Sequence, residues 1–317
     1  MIPASIPSPP ADWARFVIGP FTIHAYALCI LTGIVVATIM TSRRLTKRGA
    51  QPGVVVDFAI VAVPLALVGA RAWHVFTHVG DYFGPGHAWW EPFAIWQGGN
   101  AIFGSVLGGA VGAYIASRWT GIRFLSFADA VAPGLLLAQA IGRIGNWFNT
   151  ELYGIPTTLP WGLEVPTTNP AFPAGLPAGT LFHPTFLYEL VWNAAGAILI
   201  LLIDRRVPLR WGRALGLYLI WYGIGRSVFE AIRIDPTTVL LGLRVNIWAA
   251  LGAVLLGVLI IAWSVRRHRG AEPGVYRPGR GWTPDAPVVS RYTAADFDGE
   301  PPVDQAAAAT SGAASRR

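Results

Sequence analysis

Charged residues are scarce in this sequence. Asp, Glu, Lys and Arg make up 13% of its 317 residues, whereas about 25% is usual for a soluble domain. Hydrophobic residues reach 53% and the mean hydropathy is +0.48, which indicates a membrane protein. The sequence has one cysteine, Cys29, so an intramolecular disulfide is excluded.

Motifs of several common enzyme classes are also missing. No Gly-x-Ser-x-Gly elbow, Walker loop or dinucleotide fingerprint occurs, which argues against α/β-hydrolases, P-loop NTPases and Rossmann enzymes. His74 and His78 lack a third ligand at suitable spacing, so we predict neither a metal nor a cofactor. The net charge is +7, but the basic residues flank apolar segments, so nucleic acid is not a predicted partner.

Long apolar stretches, by contrast, are abundant. A helix needs about 20 residues to cross the hydrocarbon core, and seven stretches are long enough: Phe21–Met40, Val54–Phe76, Ala101–Trp119, Asp129–Phe148, Thr185–Ile203, Ala214–Ala231 and Val245–Trp263. We therefore predict an all-α polytopic membrane protein with seven transmembrane helices, in a membrane-embedded domain of residues 1–269.

The distribution of basic residues predicts the orientation. Lys and Arg cluster after the first, third, fifth and seventh spans, whereas residues 77–100 and 149–182 lack them. By the positive-inside rule, the N-terminus is outside and the C-terminus is cytoplasmic. From residue 270 onward large apolar residues are few, so we expect residues 270–317 to form a disordered cytoplasmic tail.

Polar side chains recur at steps of three or four residues within or just beyond several spans, which places them on one face of each helix. They are Arg71, Arg143, Asn146, Glu151, Glu189, Tyr222, Arg226, Glu230 and Arg233. In the predicted topology all of them approach the outer membrane surface. Ionisable residues at bilayer depth indicate a functional site.

The arginines in this set outnumber the carboxylates. An excess of arginine predicts an anionic ligand, and a guanidinium group donates two parallel hydrogen bonds to phosphate oxygens. A phospholipid head group is therefore the predicted ligand. The alternative is that these charges only hold the helices together, since Arg226 and Glu230 are four residues apart and could satisfy each other.

The segment Gly142–Gly154, with the sequence GRIGNWFNTELYG, resembles the signature of bacterial phosphatidylglycerol–prolipoprotein diacylglyceryl transferases. Other segments resemble elements of that family in the same order: HAY at 24–26, GAR at 69–71, WQGG at 96–99, HPTFLYE at 183–189 and YGIGRSVFE at 222–230. The resemblance covers about residues 15–268.

The resemblance implies a reaction. The sn-1,2-diacylglyceryl group of phosphatidylglycerol would pass to the lipobox cysteine thiol of a preprolipoprotein, forming a thioether and releasing glycerol 1-phosphate. The expected partners are phosphatidylglycerol, preprolipoprotein signal peptides and the lipid bilayer. The expected location is the bacterial plasma membrane, with the active site towards the outer leaflet.

The same resemblance implies residue roles. Arg143 and Arg226 are expected to bind the phosphate and stabilise the leaving group. Asn146 and Glu151 are expected to shape that pocket, and Gly154 to form the turn beyond the signature.

The polar faces add three residues that the resemblance alone does not supply. Arg71 and Arg233 are predicted to guard the outer side of the site and to contribute to substrate binding. Glu230 is predicted to fix the position of Arg226.

The sequence departs from the family at Phe103, where members commonly carry a histidine proposed as the base for the thiol. Phenylalanine cannot accept a proton. The remaining candidates for that catalytic role are Tyr222, His24, Tyr26 and Glu189. His24 and Tyr26 could instead be interfacial residues at the membrane boundary.

Two other functions use the same residues. A phospholipid or anionic-solute transporter would need the arginines together with a polar path to the cytoplasmic side, where the spans show few polar residues apart from Asp57 and Asp129. A lipid-binding scaffold would need the arginines but not Tyr222.

Overall fold

The computed structural model describes residues 5–19, 21–84, 86–99, 101–268, 270 and 272–282, and these are mostly helical. Each of the seven predicted apolar stretches overlaps one α-helix. The helices are α1 (Ala25–Lys47), α2 (Val54–Thr77), α3 (Ile102–Thr120), α4 (Phe124–Asn149), α5 (Thr185–Arg206), α6 (Arg213–Ile232) and α7 (Val245–Arg267).

Five of these helices, α1, α2, α4, α5 and α7, are long and apolar enough to cross a membrane. The chain is therefore a multi-pass membrane protein by length and composition of its helices. The hydropathy of α3 is lowered by four glycines, and that of α6 by Arg213, Arg226 and Glu230. The prediction of seven crossings thus depends on these two helices.

The structure is mostly helical, as predicted, and contains in addition three short antiparallel strand pairs. Their strands are β1 (Arg15–Ile18), β2 (Phe21–His24), β3 (Leu163–Glu164), β4 (Leu181–Phe182), β5 (Val239–Leu240) and β6 (Leu243–Arg244), paired β1–β2, β3–β4 and β5–β6. The first predicted span begins too early, because Phe21–His24 is a strand and α1 starts at Ala25. Thr22 and Ile23 are β-branched residues that favour a strand.

The chain divides into two compact units, one of residues 1–41 and 128–272 and one of residues 42–127 and 273–317. In the second unit, α2 and α3 pack with their backbones in contact. Gly104 lies against the Gly69 carbonyl, and Gly108 lies against the Leu65 carbonyl. A side chain at either glycine would separate the helices, so these glycines form a packing surface.

The first unit is held together by a buried cluster between α4, α5 and α6. Leu136, Ala197, Ile200 and Ala214 are all buried there. Two tryptophans add a second contact between α5 and α6. Trp192 Nε1 donates to the Trp221 carbonyl at 3.0 Å, and Trp221 Nε1 donates to the Trp192 carbonyl at 2.9 Å. The two rings stack with their centroids 4.3 Å apart, and we call them the tryptophan pair.

The loop between α4 and α5 has a small core of its own, in which Tyr153, Leu163 and Phe182 are buried. The N-terminal segment closes it, since Ile6 N–H donates to the Gly162 carbonyl at 2.9 Å. Burial raises the pKa of the Tyr153 phenol. The loop is therefore a folded cap that follows directly on the end of α4.

Part of the segment expected to be disordered is ordered in the second unit. Val275 is buried, its carbonyl accepts from Arg123 N–H at 2.8 Å, and the Tyr276 hydroxyl accepts from Gln51 N–H at 3.0 Å. Residues 283–317 of the predicted tail lie outside the described residues.

Candidate active site

Arg143 of α4 and Arg226 of α6 both lie beside Glu189 of α5. Arg143 Nη2 is 2.5 Å from Glu189 Oε2, and Arg226 Nη1 is 4.0 Å from Glu189 Oε1. All three side chains are largely buried, with Glu189 only 5% exposed. The two arginines predicted to bind phosphate thus lie together, on faces of three helices within the first unit.

Asn146 connects Arg143 to the end of α4. Its Oδ1 accepts from Arg143 Nη1 at 3.2 Å, and its Nδ2 donates to Glu151 Oε1 at 2.9 Å. Asn149 also donates to Glu151 Oε1, at 3.1 Å. A side-chain amide suits this position because it both accepts and donates, and it orients Arg143 towards Glu189.

Gly154 stands where three segments meet. Its N–H donates to the His183 carbonyl at 2.9 Å, and it forms an isolated bridge with Arg233. A Cβ added here would lie 2.9 Å from His183 Cβ and 3.0 Å from the Ile232 carbonyl. Only glycine permits this close approach, and the turn role expected for Gly154 stays a prediction.

Glu230 is fully buried and contacted from several sides. Its Oε2 lies 2.9 Å from Arg226 Nη2 and 3.5 Å from Arg233 Nη1. Its Oε1 accepts from Arg244 Nε at 2.9 Å and from Asn246 Nδ2 at 2.7 Å. The predicted contact between Glu230 and Arg226 is therefore present, with three further polar partners around the same carboxylate.

Arg233 forms a bidentate salt bridge with Asp235: Nε donates to Oδ1 at 2.6 Å, and Nη2 donates to Oδ2 at 2.8 Å. Burial opposes its charge, but the hydrogen bond and attraction from Asp235, together with Glu230, outweigh burial and raise the pKa of Arg233. Its donors are largely committed to protein carboxylates. Its predicted role as a substrate-binding guard stays a prediction.

The predicted excess of arginine does not hold in this cluster. Four arginines face four carboxylates: Arg143, Arg226, Arg233 and Arg244 with Glu151, Glu189, Glu230 and Asp235. Arg244 and Asp235 join the cluster, whereas Arg71 belongs to the other unit. Anion binding here therefore depends on the geometry of the donors and not on an excess of positive charge.

Arg226 retains a donor that the protein does not use. Its Nη1 is buried and has no hydrogen-bond partner within the described residues. An unsatisfied buried donor costs about 1–3 kcal/mol, and a phosphate oxygen is the acceptor that a guanidinium group pairs with best. This atom is the point at which the cluster can bind an anion.

The candidates for the proton acceptor occupy different positions in the first unit. Tyr222 lies one turn from Arg226 on α6, and its ring stacks on Tyr218 with the centroids 6.0 Å apart. The Tyr26 ring packs against Gly145, where a Cβ would lie 2.5 Å from Tyr26 Cδ2. His24 ends the strand β2 and is exposed. The structure leaves their catalytic roles as predictions.

Arg71 and Phe103 belong to the second unit. Arg71 is buried and donates to the carbonyls of Glu91, Pro92 and Gly98, at 2.5, 2.8 and 2.6 Å. Its guanidinium group therefore holds the loop between α2 and α3. Phe103 is 38% exposed and its ring lies 6.3 Å from that of Trp73. Substrate binding by Arg71 stays a prediction.

Comparison with known proteins identifies the family. Residues 14–263 match the model of the family described as prolipoprotein diacylglyceryl transferase. This chain belongs to that family. A phosphatidylglycerol–prolipoprotein diacylglyceryl transferase of Leifsonia xyli subsp. xyli is 58% identical over 92% of this chain and 90% of its own length.

Two other transferases are similar over most of their length. The enzyme of Bifidobacterium adolescentis is 46% identical over 84% of this chain and 81% of its own. Transferase 1 of Streptomyces coelicolor is 46% identical over 87% and 78%. All of these relatives are bacterial. The resemblance stated from the short motifs is thus confirmed over nearly the whole chain.

Three residues of this family member's charged cluster were missed by sequence reasoning. Asp235, Arg244 and Asn246 lie between the end of α6 and the first turn of α7, around the β5–β6 pair. The available signal was the position of Arg244 and Asn246, two polar residues at the start of an apolar span.

Proposed function

We propose that this chain transfers the sn-1,2-diacylglyceryl group of phosphatidylglycerol to the lipobox cysteine thiol of preprolipoproteins. Family membership supplies the reaction class, and relatives at 46% and 58% identity carry that activity in their names. In the structure, the observation that carries the proposal is that Arg143 and Arg226 share Glu189 while Arg226 Nη1 keeps an unused donor.

The chemistry demands such a donor. The cysteine sulfur forms a bond to the terminal glyceryl carbon as the bond from that carbon to the phosphate oxygen breaks, and the thiol proton passes to a base. The phosphate leaves on glycerol 1-phosphate with an increased negative charge. Fixed guanidinium donors stabilise that charge most strongly where water is excluded. Arg143 and Arg226 supply them, and Tyr222, Tyr26, His24 and Glu189 are the candidate proton acceptors.

The location follows from the substrates. Seven crossings, with the N-terminus outside and the C-terminus cytoplasmic, place the outer ends of α4 and α6 at the outer leaflet. Phosphatidylglycerol and the signal peptide then both reach the site from within the bilayer. The lack of Lys and Arg in residues 77–100 and 149–182 supports this orientation.

The purified protein should be incubated with phosphatidylglycerol and a lipobox peptide, and the peptide mass measured. The proposal expects the gain of one diacylglyceryl group and the release of glycerol 1-phosphate. A peptide with serine in place of the lipobox cysteine is the control and should gain nothing. Lipid relocated between vesicles with no covalent adduct would indicate a carrier and overturn the proposal.

A further inference from the structure

Arg244 and Arg226 contact different carboxylate oxygens of Glu230. Its Nε donates to Glu230 Oε1 at 2.9 Å, and Asn246 Nδ2 donates to the same oxygen at 2.7 Å. Arg226 faces the other oxygen, Oε2, through Nη2 at 2.9 Å. One carboxylate oxygen of Glu230 thus binds Arg244 and Asn246, and the other faces Arg226.

Arg244 is itself held in place. Its Nη1 donates to the Arg233 carbonyl at 2.7 Å, and its Nη2 donates to the Asp235 carbonyl at 2.9 Å. All three nitrogens of this guanidinium group therefore bind protein acceptors. These bonds to the backbone that follows α6 fix the orientation of Arg244. Its bond to Glu230 Oε1 in turn fixes the orientation of the Glu230 carboxylate.

The bonds to Oε1 of Glu230 limit how the carboxylate can pair with Arg226. A free carboxylate beside a guanidinium group forms two parallel hydrogen bonds with it. Oε1 of Glu230 already accepts from Arg244 and Asn246, so Oε2 is the oxygen left for Arg226, and it lies 2.9 Å from Arg226 Nη2. Its Nη1 is left buried and without a hydrogen-bond partner within the residues described.

We propose that Arg244 is a positioning residue, which keeps Oε1 of Glu230 engaged away from Arg226 so that Arg226 Nη1 stays available for the substrate phosphate. The inference rests on the proposed function, because it assigns the use of that atom. Asn246 supports Arg244 at the same oxygen. Both residues would act through Glu230 and Arg226.

The test compares Arg244→Gln, Arg244→Lys and Asn246→Ala in the peptide transfer assay. Arg244→Gln frees Glu230 to pair with both donors of Arg226, so the KM for phosphatidylglycerol should rise roughly tenfold or more. The KM for the peptide should not change, and inhibition by added glycerol 1-phosphate should weaken. Arg244→Lys, which keeps the charge but not the planar fork of donors, should recover part of the loss. Asn246→Ala should shift the same KM by a smaller factor.

Arg210→Gln is the matched control. Arg210 lies in the loop before α6 and pairs at 2.8 Å with Asp204 of α5. The kinetics of this variant should equal those of the wild type. A double-variant cycle shows whether Arg244 acts through Glu230. Arg244→Gln should add little to the loss caused by Glu230→Gln alone.

An unchanged KM for phosphatidylglycerol in folded Arg244→Gln and Asn246→Ala proteins would overturn the inference, as would losses that add fully in the cycle. A lower yield of active enzyme with every KM unchanged would indicate a purely structural role and would also overturn it. Failure of the wild-type protein to form the adduct would instead refute the proposed function.

Discussion

Arg226 lies beside two carboxylates, yet its buried Nη1 has no hydrogen-bond partner among the described residues. The distance of 4.0 Å from its Nη1 to Glu189 Oε1 is too long for a hydrogen bond. Satisfying every donor inside the protein would close the site to an anion, whereas leaving the guanidinium group unpaired would destabilise the fold. The cluster meets both needs, since its formal charges balance and Arg226 Nη1 has no acceptor in the described part of the chain.

The position of Phe103 shows that this chain does not use a histidine there as base. We predict that Phe103→Ala retains at least part of the transfer activity, because the ring can shape a surface but cannot take up a proton. The measurement is the initial rate of peptide lipidation by folded protein. Inactivity of a folded Phe103→Ala variant would mean that the ring places the substrate.

The charged cluster also separates what the sequence could predict from what it could not. Arg143, Arg226 and Glu230 stand at helical spacing on apolar spans, and a charge in such a span is conspicuous. Arg244 is not conspicuous, because it follows a short loop whose folding decides where the side chain points. Its bond to Glu230 joins residues 14 positions apart, and no helical periodicity covers that separation.

Among the elements, the contact between α5 and α6 decides whether Glu189 can meet Arg226. The tryptophan pair joins these helices close to that contact, with two reciprocal hydrogen bonds. Gly196 lies against the Trp221 indole, and Gly225 lies against the Trp192 indole. The absence of a side chain at both glycines lets the rings stack between the helices.

Gly225→Ala tests this contact. The added Cβ would collide with the Trp192 indole nitrogen, so the variant should lose about 1–3 kcal/mol of stability and part of its transfer activity. Thermal unfolding of the purified protein should show a lower Tm. Gly252→Ala is the control on α7, where a Cβ meets nothing within 4 Å, and its Tm should be unchanged or higher. Equal Tm values for the two variants would contradict this role of the tryptophan pair.

The helices themselves were predictable, because runs of about 20 apolar residues have few alternatives to a helix. The β1–β2 pair was not predicted. Phe21 and Ile23 of β2 are as apolar as the residues that follow, so composition alone merges β2 with α1. Alternation over four residues is too short to separate a strand from a buried helix segment.

At the scale of the whole molecule, orientation joins the site to its substrates. Basic residues follow the helices α1, α3, α5 and α7, and five helices are apolar enough to cross a membrane. If α3 and α6 cross as well, the C-terminal ends of α4 and α6 face the outside. Both substrates are then accessible from one leaflet.

Single cysteines introduced after Cys29→Ala replacement test this topology. Ala178→Cys lies in the exposed loop between α4 and α5, and Thr46→Cys lies at the exposed end of α1. A membrane-impermeant maleimide should label Ala178→Cys on intact cells and Thr46→Cys only after permeabilisation. Labelling of both, or the reverse pattern, would refute the orientation.

The most direct measurement is the mass of a lipobox peptide after incubation with phosphatidylglycerol and each of three proteins: wild type, Arg143→Ala and Arg226→Ala. We predict a diacylglyceryl adduct from the wild type and a rate at least about 100-fold lower from either variant, although both variants still insert into the membrane. An adduct formed at the wild-type rate by a membrane-inserted Arg143→Ala or Arg226→Ala protein would contradict the phosphate-binding role of these arginines.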